Sequence, residues 1–241
     1  MIRVCLCGLG RTGIEIAKLF KKQKDIVIVA AICGNNSEKL GKDLGLLCGG
    51  SRNGIVIESS VNIERVIEKT KPDIAVDFST PRSALIHANV FARYGVNVVM
   101  GTTGFTSMMQ KRLGVLTRRE QWGIVYAPNI TLGVNVMMAL SSIASRLLPD
   151  YDFLISEEHF AKKKDSPSGT AKKLANEVTK TLRSVKGSTR EVPINSVRAG
   201  GIIGNHELLV AGTNDQVVIG HSSYSRTAFA VGALRASRFL Y

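Results

Sequence analysis

The chain has 241 residues, 44% hydrophobic and 21% charged, with a formal net charge of +13. This is a globular composition with room for one large domain or two small ones. No run of about 18 apolar residues occurs, so no membrane span is expected.

The excess of Lys and Arg suits nucleic acid, an anionic surface or small anionic ligands. The basic residues are scattered apart from Lys21-Lys22-Gln23-Lys24 and Lys162–Lys164, and aromatics are only 6%. No nucleic-acid-binding motif accompanies them, so small polyanions are the expected partners rather than nucleic acid or membrane. Met1-Ile-Arg-Val runs straight into a strand pattern, so no signal peptide and a cytoplasmic location are expected. Cys5, Cys7, Cys33 and Cys48 show no C-x-x-C spacing and no His cluster. They are expected as reduced thiols, with neither a disulfide nor a metal site.

Residues 2–7 form an apolar run, followed at once by Gly8-Leu9-Gly10-Arg11-Thr12-Gly13. A helical pattern with Ile16, Ala17, Leu19 and Phe20 comes next, then a second apolar run, Ile26–Ile32. This is the strand–glycine turn–helix–strand frame of the dinucleotide fingerprint. Gly8 permits the tight turn, Gly10 the approach of a pyrophosphate, and Gly13 the packing of helix on strand. The acid that holds the ribose of NAD is missing after the second strand, where Ala31-Ile32-Cys33-Gly34-Asn35 stands. NADP is therefore permitted, with Lys39 or Arg11 available to a 2′-phosphate.

The alternation continues. Ile55–Ile57 reads as a strand, Ile63, Val66 and Ile67 as a helix, and Ile74–Phe78 as a buried strand. Ser79-Thr80-Pro81 opens a helix that Gly95 ends. Val96–Met100 is a strand before Gly101-Thr102-Thr103-Gly104-Phe105, and Gly123–Tyr126 one before Ala127-Pro128-Asn129. Strands alternating with helices imply a doubly wound parallel sheet, whose ligands bind beyond the carboxyl ends of the strands.

After Asn129 the pattern changes. Val134–Leu148 reads as one amphipathic helix ended by Pro149. Phe153–Ile155 begins a strand, and Ala171, Leu174, Ala175, Val178 and Leu182 mark a helix. Between them lies Glu157-Glu-His159-Phe160-Ala-Lys-Lys163-Lys-Asp165-Ser-Pro167-Ser168-Gly169-Thr170-Ala171. Ser168 or Thr170 can cap the helix, and its free N–H groups favour an anion. His159 can transfer a proton near neutral pH, and lysines beside it attract a carboxylate or phosphate. Ile194–Val197, Glu207–Val210 and Gln216–Ile219 read as strands with no helices between them, and Thr227–Phe239 as a last helix. The expected fold class is α/β, a Rossmann-like dinucleotide-binding domain with a second α+β domain. The expected boundaries are 1–129 plus 225–241 for the first domain and 130–224 for the second.

With these residues assembled, the chain resembles the dihydrodipicolinate reductase family, also called 4-hydroxy-tetrahydrodipicolinate reductases. The family loop has the form Glu-x-His-His-x-x-Lys-x-Asp-x-Pro-Ser-Gly-Thr-Ala. Glu157, His159, Lys163, Asp165, Pro167, Ser168, Gly169, Thr170 and Ala171 match it in register. So do Asp77-Phe-Ser-Thr-Pro81, Gly101–Phe105, Gly133-Val-Asn-Val-Met137, Val197-Arg-Ala-Gly200, Gly204 and His206. The resemblance spans nearly the whole chain.

It implies hydride transfer from NADPH or NADH to a cyclic imine dicarboxylate, in the diaminopimelate route to lysine. It implies a homotetramer built through the sheet of the second domain. His159 takes the general-acid role, and Lys163 donates protons and anchors substrate. Phe160, Ser168, Gly169 and Thr170 border the substrate. The cofactor is expected on Gly8, Leu9, Gly10, Arg11, Thr12 and Gly13, and on Cys33, Phe78 and Ser79. Gly101, Thr102, Thr103, Ala127, Pro128, Asn129 and Ile130 complete that side.

Two departures stand out. Phe160 replaces the second His of the family loop, which leaves a reductase of another cyclic imine or dihydropyridine as the alternative. The chain also stops at Tyr241, where longer members carry a further segment. A nucleotide-sensing module without catalysis would need neither His159 nor Lys163.

Overall fold

The computed structural model describes residues 1–119 and 122–241. These form two compact units, Met1–Ile130 with Phe229–Tyr241, and Thr131–Ala228.

The first unit is a six-stranded parallel sheet of β1 (Ile2–Cys7), β2 (Ile26–Cys33), β3 (Ile57–Ser59), β4 (Ile74–Asp77), β5 (Asn97–Met100) and β6 (Ile124–Tyr126). Its order is β3-β2-β1-β4-β5-β6. The helices are α1 (Arg11–Phe20), α2 (Leu44–Leu47), α3 (Ile63–Thr70), α4 (Pro81–Arg93) and α5 (Ser107–Arg119). β1 is apolar at every position but the exposed Arg3, because both of its faces are covered. Val4 and Leu6 pack with Ile16 and Phe20 on one side, and Cys5 and Cys7 with Val66, Ala88 and Phe91 on the other. The strand order turns back between β1 and β4, which places the turns after them at the sheet's switch point. Gly8 N donates to the Ile32 carbonyl at 3.0 Å, and Phe78 N to the Cys7 carbonyl at 2.8 Å.

The second unit holds α6 (Leu132–Leu147), β7 (Asp152–His159), α7 (Gly169–Lys186), β8 (Ile194–Arg198), β9 (Asn205–Ala211) and β10 (Gln216–Ser222). Its mixed sheet has the order β10-β9-β7-β8, with only β7 and β8 parallel. Phe153 and Ile155 of β7 meet Leu174, Val178 and Leu182 of α7 in its core. The last helix, α8 (Thr227–Leu240), packs in the first unit, with Ala230, Ala233 and Leu234 in the same cluster as Val4 and Ile16.

One reading of the sequence is corrected, and two helices are added to it. The third strand begins at Ile57 rather than Ile55. Asp43 collects the N–H groups of Asn53 and Gly54, so the preceding residues serve a loop tied to that carboxylate. Helices α2 and α5 carry no clean apolar stripe and escape a periodicity reading. In α5 Leu113 is buried, but Met108 and Val115 are exposed.

A Cβ on Gly13 would fall on the Gly8 carbonyl oxygen, backbone that cannot yield locally. Gly13→Ala should therefore cost about 2 kcal/mol or more of stability, the scale of an overpacked core. An unchanged urea midpoint would show that α1 slides away from the turn without penalty.

Candidate active site

The alternation of β7 carries Phe153 and Ile155 into the core and takes Glu157 and His159 in with them. A buried carboxylate persists only with partners. Glu157, fully buried, has three. Its Oε1 pairs with Arg198 Nη2 at 2.7 Å and accepts from Ser168 N at 3.3 Å. Its Oε2 holds Nδ1 of His159. The registers Glu157↔Ser196 and His159↔Arg198 in β8 explain the reach of Arg198.

Burial works against ionisation of Glu157, but the Arg198 hydrogen bond and the charges of His159 and Arg198 bring its pKa down to about 2. The carboxylate only accepts, so Nδ1 of His159 carries the ring proton. Burial pushes the His159 pKa below its ordinary value; Glu157 opposes this, and Lys163 and Arg198 reinforce it. Gly204 leaves room for the ring, since a Cβ there would lie 3.0 Å from His159 Nε2.

His206 faces Glu157 across β9 and stands edge-on to His159 with centroids 5.1 Å apart. Burial, then the neighbouring His159, lowers it to about 4. Its Nε2 lies 3.2 Å from Ser168 Oγ. That hydroxyl also caps α7, accepting from Ala171 N at 3.2 Å. The first turn of α7 contains no acid. Gly169 is exposed with open space at its Cβ position, and Thr170 follows half-buried.

Lys163 Nζ pairs with Asp165 Oδ1 at 2.6 Å, its side chain 19% exposed. Lys162 and Lys164 are exposed. Arg198 Nη2 also donates to the Asp165 carbonyl at 2.7 Å, tying the loop to β8. Phe160 is half-buried and its carbonyl accepts from Lys163 N at 3.0 Å. The second unit thus brings together His159, Lys163, Ser168, Gly169 and Thr170, with Phe160 beside them. His159 lies at the end of β7 rather than in the loop.

The other predicted residues lie in the first unit. Gly8 has φ +86°, and a Cβ there would come within 2.5 Å of the Phe78 and Ser79 backbone. Leu9 is buried, and its carbonyl accepts from Lys39 Nζ. Gly10 is the N-cap of α1, with no side-chain cap, no acid in the first turn and open space at its Cβ position. Arg11 and Thr12 begin that helix. An uncapped N-terminus with a bare glycine fits the pyrophosphate of a dinucleotide.

Cys33 ends β2. The Phe78 ring fills the place of a side chain at Gly101. Ser79 Oγ and Thr102 Oγ1 both point to Asp77, while Thr103 is exposed. Ala127, Pro128 and Asn129 are half-buried and Ile130 is buried.

Five residues near these sites escaped the sequence reading as participants: Glu157 as the His159 partner, Arg198, His206 and the pair Asp77 and His87. The signal for Glu157 was its period-two spacing to His159. Arg198 and His206 depend on strand order, and the Asp77–His87 pair on the contact of α4 with the end of β4.

The family model described as Dihydrodipicolinate reductase, N-terminus, matches residues 2–130, and that described as its C-terminus matches residues 133–241. The chain belongs to the dihydrodipicolinate reductase family. It is accordingly an NAD(P)H-dependent oxidoreductase. It is 33% identical over 254 residues to the 4-hydroxy-tetrahydrodipicolinate reductase of Methanocaldococcus jannaschii, with 100% of this chain and 92% of that protein covered. The Nitrosospira multiformis reductase is 36% identical over 246 residues, covering 96% and 89%. The structure of dipicolinate-bound dihydrodipicolinate reductase from Paenisporosarcina sp. TG-14 superposes with a TM-score of 0.81 at 28% identity, covering 100% of this chain and 94% of that one. An amine dehydrogenase from Mycobacterium smegmatis, at 17% identity and a TM-score of 0.71, shares the fold.

The low pKa of His206 has a stability consequence. As pH falls, the unfolded chain takes up this proton first, near 6.5, and the folded chain only near 4. The stability associated with neutral His206 is present above pH 6.5 and declines from there toward pH 4. In His206→Gln the urea midpoint should fall less steeply across that window. Equal slopes in the two proteins would assign the acid sensitivity elsewhere.

Proposed function

We propose that the chain reduces the cyclic imine dicarboxylate of the diaminopimelate route to tetrahydrodipicolinate, as a cytoplasmic homotetramer. The observation that carries this reading is His159, held by Glu157 beside Lys163 and the N-terminus of α7. That combination offers a proton and a place for a carboxylate within one loop. The dipicolinate bound by the Paenisporosarcina relative, a dicarboxylate, supports the substrate class.

The first unit, with the C-terminal helix, takes the cofactor through Gly8–Gly13, Cys33, Phe78, Ser79, Gly101–Thr103 and Ala127–Ile130. The nicotinamide supplies hydride when bound. The second unit binds substrate and carries the oligomer contacts. Exposed Val197, Val217 and Val218 on the edge strands β8 and β10 support assembly through that sheet. No helix of the described residues is long and apolar enough to cross a membrane.

Lys163 turns from Asp165 to a substrate carboxylate. Asp165 is 56% exposed and stays solvated when Lys163 leaves it, which limits the cost of the exchange. The first-turn N–H groups at Gly169-Thr170 receive the same carboxylate. Phe160 and Ser168 border it. His159 delivers the proton that quenches the charge left by hydride addition, a contribution of about 10²–10⁴-fold. Substrate brings two negative charges, which raise the His159 pKa toward its ordinary range and load it for that role.

Cofactor binding is tested at Gly10. Gly10→Val fills the open space over the α1 N-terminus and should weaken NADH and NADPH together, with the fold kept. Unchanged fluorescence titrations would sink the glycine-turn assignment. NADPH should be accepted at least as well as by a dual-specific enzyme. A preference for NADH above about 100-fold, roughly 2.7 kcal/mol, would contradict this.

Turnover of the imine dicarboxylate by the purified chain tests the reaction itself. His159→Gln should lower kcat with little change in KM, because its contact matters mainly in the transition state. Lys163→Ala should damage both, whereas Lys162→Ala and Lys164→Ala should do little. Dispensable Lys163 with essential Lys162 or Lys164 would overturn the register and the mechanism.

A further inference from the structure

The polar pair Asp77–His87 lies in the core of the first unit, outside every role assigned above. Asp77 ends β4 at the switch point of the sheet and is fully buried; His87, on α4, is 3% exposed. His87 Nδ1 meets Asp77 Oδ2 at 2.7 Å. A carboxylate only accepts, so the ring proton sits on Nδ1.

The other oxygen, Oδ1, is engaged by two different turns. It accepts from Ser79 N at 2.8 Å and Ser79 Oγ at 2.6 Å, both in the turn after β4. It also lies 3.3 Å from Thr102 Oγ1 in the turn after β5, a hydroxyl whose one proton is shared with the Asp77 carbonyl at 3.2 Å. Gly101 N donates to the Asp77 carbonyl at 3.0 Å. One side chain thus ties two turns at the carboxyl edge of the sheet, and a third element, α4, holds that side chain in place.

We infer that His87 is a positioning residue for the cofactor, holding Asp77 so that the Ser79 and Thr102 turns keep the shape that receives the dinucleotide. This rests on the cofactor reading above. Burial does not call for a histidine here. The other buried positions of α4 are Ala84, Leu85, Ala88, Val90, Phe91 and Ala92, all apolar, and an apolar residue would match them. A lone buried imidazole and carboxylate each cost free energy, which the pair offsets only as a hydrogen-bonded unit. Without the His87 donor, Oδ2 is left buried and unmatched. The carboxylate then gains by rotating toward other donors, and the donors on Oδ1 lose their fixed acceptor. Cys7 Sγ lies within 4.8 Å of the pair. Both carboxylate oxygens already accept from donors, so the cluster is a hydrogen-bonded clamp rather than a cation site.

The test is steady-state kinetics with NADH and NADPH on the full chain carrying His87→Leu, His87→Gln or His87→Asn. Leu removes the donor. Gln keeps a polar amide but sets it where Nε2 stands, away from Asp77. Asn places its amide nitrogen where Nδ1 stands. The expected result for Leu and Gln is a KM for both cofactors raised by about tenfold, the scale of one lost positioning contact. In both, kcat at saturating cofactor should stay within about twofold, and Asn should restore most of the affinity.

A role in folding alone gives the opposite split, because fewer folded molecules lower the apparent kcat and leave KM unchanged. That split in both Leu and Gln overturns the proposal, as does a failure of Asn to rescue. If Leu does not fold, Gln against Asn decides in the same way. Gly10→Val, run alongside, separates the two levels. An unchanged cofactor KM there rejects the cofactor reading, whereas a raised one with unaffected His87 variants rejects only the clamp.

Discussion

The second unit depends on where the charge of Glu157 goes. A strand that alternates core and surface places this carboxylate inside, between Ile155 and His159 on the same face. Left alone it would take up a proton or unfold its surroundings. Arg198, Ser168 N and His159 Nδ1 hold it ionised instead. Those partners come from β8, from the start of α7 and from β7 itself. The same contacts that keep a charge in the core therefore fix the three elements whose ends form the site. Removing one member would leave the others buried and unmatched, at a cost on the order of 3–5 kcal/mol. Rigidity at His159 is a by-product of solving that burial.

The first unit meets the same constraint at another strand end. Asp77 ends β4 inside the sheet and collects donors from the turns after β4 and β5. A parallel sheet leaves the polar backbone of its carboxyl-edge turns in need of partners. One buried carboxylate answers several of these needs at once, and backbone bonds from Gly8 and Phe78 answer others. Ligand-facing turns are usually the mobile part of such folds. Here acceptors set into the strand ends hold them.

How much of this was legible in the sequence depends on the distance over which each cause acts. The β1 turn, α1 and α7 rest on local rules: glycine spacing, apolar periodicity and the Ser168 cap. Each was readable and lies close to where the pattern put it. The helix α5 was missed because, among its described side chains, only Leu113 is buried, and a helix with so little to bury carries little periodicity. Ile55 and Val56 have the composition of a strand, but Asp43 across the loop claims the neighbouring N–H groups. The loop chemistry of His159 and Lys163 was visible from residue type and, through the family resemblance, from register. Arg198 and His206 were not, since their place beside Glu157 follows from the order β9-β7-β8. Nothing in their neighbouring residues encodes that order. His87 was hidden for a different reason, for a single polar residue in an apolar helix face looks like an interruption until its partner is known.

Charge gives these pieces a common sense. The chain carries a formal +13, and at the site the charges of Lys163 and Arg198 add to burial in disfavouring a protonated His159. Burial first, and then those cations, favour the neutral imidazole while the site is empty. The proposed substrate reverses the sign of its surroundings, because two carboxylates outweigh the local cations and favour the imidazolium. Proton and substrate then arrive together, and the acid is strong because its environment without substrate disfavours the charge. Glu157 makes this workable. Without it, burial and the neighbouring cations would act on the imidazole unopposed. With it, that lowering is opposed, and Nε2 is the nitrogen still to be protonated. The buried carboxylate that organises the unit thus also sets how far the substrate has to move the proton equilibrium.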